Sequence, residues 1–158
     1  MSASLLNYVV KAYRIGEHSN RYPIFDDTGS IIVPGRWNHK YPVIYTAENY
    51  SLAMLEKLVH CNTGDIPEHQ QWIEITVPSG ISYETVTPYS LQQWHNPPKS
   101  RQFGDKWLKS SRSCLLFVPS IIAPIESNIL INKSHPDFSQ ITVSINRPVI
   151  WDRRLFLA

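Results

Sequence analysis

A single carboxylate, Glu56, carries the strongest chemical signal in this sequence. In Tyr50–His60, YSLAMLEKLVH, residues Leu52, Leu55 and Val59 recur at i, i+3 and i+7, the spacing of a helix face turned toward a core. Glu56 stands at i+4 of the same stripe. A carboxylate on the buried side of a helix is costly unless donors or a cation meet it. It then becomes a fixed negative charge, able to stabilise positive charge that develops in a reaction. The plain alternative is a boundary residue whose aliphatic stem covers the core while its carboxylate reaches water.

Four other positions could join it. Arg36 lies in PGRWN, 34–38, where Gly35 lets the backbone turn and Trp37 can wall a pocket. Its planar guanidinium could grip a carboxylate or phosphate through two parallel hydrogen bonds, or simply stack on Trp37 at the surface. Arg14, in AYRI, is either a second cation for Glu56 or an exposed cross-strand partner. Tyr45 closes a short apolar run directly before the helix, as a ligand-facing ring or a core aromatic. Ser120 follows LLFVP, so a buried strand delivers a hydroxyl to its own end. No Gly-x-Ser-x-Gly elbow surrounds it, which favours a hydrogen-bonding role over a nucleophilic one. The histidines form no ligand set, since His60 and Cys61 are adjacent and His135 opens a His-Pro-Asp-Phe turn. No metal is expected. Cys61 and Cys114 read as free thiols in apolar surroundings.

The elements that must position these residues are short and numerous. Strands are predicted at 9–15, 43–46, 71–77, 83–86, 114–118, 129–131, 141–145 and 149–156. The segment 21–37 reads mostly as loop, and 88–98 as a turn-rich connection into a short helix holding Phe103, Trp107 and Leu108. Asn49 or Ser51 can cap the helix that ends near His60. Strands outnumber helices without regular alternation, which predicts an α+β class. No linker or repeat divides the chain, so one domain over 1–158 is expected.

Composition narrows the function classes. With 42% hydrophobic and 18% charged residues the chain is globular rather than disordered. A formal charge of +2, with no basic cluster denser than Arg147, Arg153 and Arg154, argues against direct nucleic-acid binding. Without a signal-peptide pattern or a long apolar run, a soluble cytoplasmic protein is expected and no membrane contact.

Four stretches in order, GRWN at 35–38, PVIYTAENYSLAMLEKLVH at 42–60, GDKWLKSSRSCLLFVPS at 104–120 and ESNILINKSHPDF at 126–138, resemble the RES-domain family. The family is named for an arginine, a glutamate and a serine. The resemblance implies a toxin of a bacterial toxin–antitoxin pair, with a β core and flanking helices similar to ADP-ribosyltransferase toxins such as diphtheria toxin. It implies destruction of NAD⁺ by phosphorolysis or hydrolysis, a helix-turn-helix antitoxin as partner, and leaves a homodimer within that complex open. NAD⁺ would be the substrate, inorganic phosphate a co-substrate, and no further cofactor would be required. Carried over residue by residue, the implied site is Arg36, Tyr45, Glu56 and Ser120, with Arg14 and Asn132 as further ligand-binding candidates. Two positions depart from the family pattern: Tyr41 stands where glycine is usual, and Lys133 where proline is usual.

The chemistry agrees with a candidate glutamate, Glu56, that belongs to no paired-carboxylate motif. Breaking the nicotinamide–ribose bond builds oxocarbenium-like charge on the sugar, as in glycoside cleavage, and nicotinamide leaves without a strong general acid. A protein ADP-ribosyltransferase breaks the same bond and differs only in the acceptor. A catalytically silent binding module is the remaining alternative from another class.

Overall fold

The computed structural model describes residues 2–17, 19, 21–61 and 64–157. Strands β1 (Ser4–Leu5), β2 (Val10–Glu17), β3 (Ile44–Ala47), β4 (Gln70–Val77), β5 (Ser82–Thr85), β6 (Leu115–Pro119), β7 (Ser127–Ile131), β8 (Thr142–Val143) and β9 (Arg147–Pro148) form one sheet among the described residues. Its order is β1-β5-β6-β7-β3-β2-β4-β8, with β9 also paired to β4. Only β5 and β6 run parallel. Among the described residues three α-helices, α1 (Thr28–Ile32), α2 (Tyr50–His60) and α3 (Pro97–Ser110), accompany it, so the class is α+β.

The sequence pattern accounts for the central strands. In β4, Ile73, Ile75 and Val77 alternate inward and are buried, while Trp72, Glu74 and Thr76 between them are partly exposed. In β6, Leu115, Leu116 and Val118 are all buried, because this strand lies between β5 and β7 with both faces covered. One apolar cluster gathers Ile44, Ile75, Leu115, Ile129 and Ile131. A second, on Trp107, Leu116 and Leu130, anchors α3.

Other expectations change. The expected short helix around Phe103, Trp107 and Leu108 is α3, which spans 14 residues and starts at Pro97 and Pro98, where a missing N–H costs nothing. The expected strand at 149–156 is absent: β9 ends at Pro148, and Arg153–Leu155 is a 3₁₀ turn whose Arg154 N–H is capped by Asp152. The expected strand at 141–145 shrinks to Thr142–Val143, and the loop at 21–37 contains α1. The stripe on α2 also needs correction. Leu52 and Ala53 are buried, whereas Leu55 and Val59 are 43% and 51% exposed. The helix packs on β2 and β3 through Leu52 and Ala53, which cluster with Tyr13, Ile15 and Ala47.

Candidate active site

The sheet is nearly split between β2 and β3. β2 pairs with β4 over its whole length, and β3 pairs with β7 at each of its four residues, yet β2 and β3 share only Tyr13 opposite Ala47. Past that pair, Nη1 of Arg14 donates to the Tyr45 carbonyl at 2.8 Å, a bond that a neighbouring strand would make in an unbroken ladder. A cleft of about 750 Å³ opens there, lined by parts of β2, β3, α2, the 29–37 segment and the start of α3, with Pro119, Ile121 and Ile122.

Glu56 forms part of its wall. Asn49 starts α2 by accepting from the Leu52 N–H at 2.8 Å, and burial of Leu52 and Ala53 fixes the helix against the sheet. Glu56, three residues beyond Ala53 on the same face, is thereby directed into the cleft. Its Oε1 accepts from Ser120 Oγ at 3.0 Å and from Asn128 Nδ2 at 2.8 Å. Oε2 has no hydrogen-bond donor among the described residues. A carboxylate oriented by two donors on one oxygen, with the other directed to an open cleft, suits stabilisation of positive charge on a ligand.

Ser120 is itself fully buried and does not line the cleft. Its Oγ accepts from the Ile122 and Ala123 N–H groups, both at 3.2 Å, while donating to Glu56. The hydroxyl therefore holds the glutamate and does not itself reach the cleft. This differs from the expectation of a direct ligand contact, and the reason is depth: Pro119, Ile121 and Ile122 reach the cleft and Ser120 lies behind them.

The GRWN loop forms another part of the cleft wall. Asn38 is buried and its Oδ1 accepts from the Gly35 N–H at 2.9 Å and from the Tyr45 hydroxyl at 2.7 Å, while that hydroxyl accepts from the Trp37 N–H at 3.0 Å. A side chain on Gly35 would collide with the Tyr45 phenol, so glycine is needed for this close approach. Burial pushes the Tyr45 phenol up to about 12, so it is neutral at ordinary pH and acts as a donor and a ring surface, not a base. Arg36 lines the cleft and donates through Nη1 to the His95 carbonyl at 2.6 Å. Burial lowers the Arg14 pKa, against the opposing pull of Asp26 and Asp27.

Arg14, Arg36, Tyr45 and Glu56 thus meet in one cleft, with Ser120 behind it. Asn132 does not. It is buried at the end of β7, where its amide donates to Ser111 Oγ at 3.1 Å and its Oδ1 accepts from the Ser134 N–H at 3.1 Å. Its side chain secures a turn, and Asn132 does not line this cleft. Sequence reasoning passed over Asn128 and Arg101, both in the cleft wall. The signal for Asn128 was an amide inside the otherwise apolar strand NILI. Arg101 carries none, because the pattern of α3 reads only as a packing helix.

Comparison with known proteins places the chain. The family model described as "RES domain" matches residues 11–152, and the chain belongs to the RES-domain family. It is 38% identical over 152 residues to a protein of Sphingobium sp. (strain YBL2) named "Prs ADP-ribosylating toxin", covering 90% of this chain and 94% of that one. It is 34% identical over 119 residues to "Toxin Res" of Yersinia enterocolitica, covering 70% of this chain and 76% of the other. In fold it is similar to the toxin–antitoxin complex structure of M. tuberculosis MbcT-MbcA, with a TM-score of 0.70, 14% identity and coverage of 90% of this chain and 85% of that one.

Proposed function

We propose that this chain is the toxin of a bacterial toxin–antitoxin pair and acts by cleaving the nicotinamide–ribose bond of NAD⁺, with inorganic phosphate or water as acceptor. The observation that carries this reading is Glu56, bonded to Ser120 and Asn128 through one oxygen only, in a cleft whose other charged groups are cationic. In the proposed step the C–N bond to nicotinamide breaks and its electron pair leaves with the neutral base. Glu56 stabilises the positive charge left on the ribose, and an acceptor oxygen then bonds to that carbon and loses a proton. Arg14 and Arg36 hold the pyrophosphate, and the Tyr45 ring supports a planar group. The only cofactor-like molecule needed is the NAD⁺ substrate itself, and the proposed partner is a helix-turn-helix antitoxin in the cytoplasm. No helix among the described residues is long and apolar enough to cross a membrane.

A second reading is favoured by the name of the Sphingobium relative, an ADP-ribosylating toxin. There the acceptor is a side chain of a target protein and the bond broken is the same. Incubation with NAD⁺, with and without phosphate and with and without cell extract, distinguishes the acceptors. Nicotinamide with ADP-ribose-1-phosphate or free ADP-ribose supports the first reading. Label transferred to a protein, with no turnover in its absence, supports the second.

A further inference from the structure

The wall of the cleft carries four cationic side chains, Arg14, Arg36, Lys57 and Arg101, against the single carboxylate of Glu56. Among the described residues none of these arginines forms an ion pair. Each is instead tethered by one nitrogen to one backbone carbonyl. Arg14 reaches Tyr45, Arg36 reaches His95, and Nε of Arg101 reaches Gly35 at 2.8 Å. A guanidinium has five N–H donors, so such a tether fixes its orientation and leaves most of them for a ligand.

The tether of Arg101 belongs to a larger contact. The residue before it, Ser100, donates to the Arg36 carbonyl at 2.7 Å, so two successive residues of α3 hold two successive carbonyls of the GRWN loop. One turn further on, Gly104 lies against the Trp37 carbonyl with no room for a side chain. The loop that bears Arg36 and the helix that bears Arg101 are thus locked together, and both residues line the cleft. Arg101 is also close enough to the Tyr45 hydroxyl for its charge to ease ionisation of that phenol.

We infer that Arg101 and Arg36 form a two-arginine subsite for a phosphoryl oxyanion, and that Arg101 is a substrate-positioning residue of the cleft. Tethered but unneutralised guanidiniums match the geometry of phosphate oxygens, which accept parallel hydrogen bonds. The oxyanion is either the pyrophosphate of the dinucleotide or free phosphate entering as acceptor. This inference rests on the proposed NAD⁺ cleavage only for its kinetic test.

The test compares wild type with Arg101→Gln and Arg101→Lys. Titration calorimetry with ADP and with inorganic phosphate needs no turnover. Loss of one charge-assisted contact should weaken binding of at least one probe about tenfold in the glutamine protein, and less in the lysine protein. In NAD⁺ cleavage, a raised KM for NAD⁺ alone identifies the pyrophosphate as the oxyanion, and a raised KM for phosphate identifies the acceptor. Unchanged binding of both probes and unchanged KM values would reduce Arg101 to a tether for the loop and overturn the inference. A wild-type protein that binds ADP in an Arg101-dependent way without cleaving NAD⁺ would refute the proposed reaction and leave the subsite standing. If Arg101→Gln loses cooperative melting, the lysine protein decides by the same readouts, with binding and KM values equal to wild type as the refuting result.

Discussion

Ser120→Ala removes a hydroxyl that is fully buried and donates to Glu56 at 3.0 Å. Asn128 still donates to the same oxygen, so the carboxylate keeps one of its two anchors. A hydrogen bond to a charged group is worth about 1.5–3 kcal/mol, and here it orients the group that meets transition-state charge. Turnover should therefore fall roughly ten- to a hundredfold, with much less change in KM. The Ile122 and Ala123 N–H groups also lose their acceptor, but they lie in a half-buried loop that water can reach. That costs about 1 kcal/mol, or a melting point lower by about 2–4 °C. The decisive assay is a double-mutant cycle on NAD⁺ turnover. If Ser120 acts only through Glu56, then Ser120→Ala in a Glu56→Gln background costs far less than it does alone. An equal loss in both backgrounds would show that Ser120 touches the reaction directly, and complete inactivation by Ser120→Ala alone would point to a nucleophile.

Three further outcomes follow from the geometry. Arg36→Lys should not restore what Arg36→Ala loses, because lysine keeps charge without the planar fork; near-normal turnover would reduce Arg36 to a diffuse field. Gly104→Ala places a methyl group against the Trp37 backbone, which cannot rotate away, and should destabilise the fold by at least about 1–3 kcal/mol in denaturant melts. For pH, burial raises the Asp26 pKa, but Lys133 at 2.8 Å and the bonds from Thr28 hold it lower, at about 2 against an ordinary 3.8. A lowered carboxyl pKa stabilises the fold above the unfolded value and loses that contribution as pH falls from about 4 to about 2. Lys133→Met should flatten this acid limb in melts at several pH values, and an unchanged limb would show that the pair contributes nothing.

How much of this the sequence foretold depends on the range of the interactions involved. Local signals served well: Asn49 as a cap, the period-two alternation of Ile73, Ile75 and Val77, and the uninterrupted apolar run of β6. The stripe that singles out Glu56 is only half a core face. Leu55 and Val59 do not join the core; the buried face of α2 is Leu52 and Ala53, and Val59 instead lines the cleft. A helix bordering a cavity keeps a core-like pattern without a core, and periodicity cannot tell the two apart. The strands β1 and β9 have two residues each and exist through their pairing partners, so no local pattern could announce them. Asn128 and Arg101 enter the site through contacts spanning 72 and 66 positions along the chain. Only the fold brings them to Glu56 and Gly35. The resemblance named the arginine, glutamate and serine, but the geometry separates their roles: two line the cleft and one orients its neighbour.

The central claim is that the Glu56 carboxylate drives cleavage of the nicotinamide–ribose bond, and nicotinamide release by wild type and Glu56→Gln, measured side by side at saturating NAD⁺, tests it most directly. Glutamine preserves the size of the side chain and an oxygen to accept from Ser120 and Asn128, while removing the charge. Wild type should release nicotinamide, and the variant should lose at least about a hundredfold in turnover with NAD⁺ affinity changed far less, the scale for one preorganised electrostatic stabiliser. A folded Glu56→Gln protein that releases nicotinamide at the wild-type rate would contradict the account.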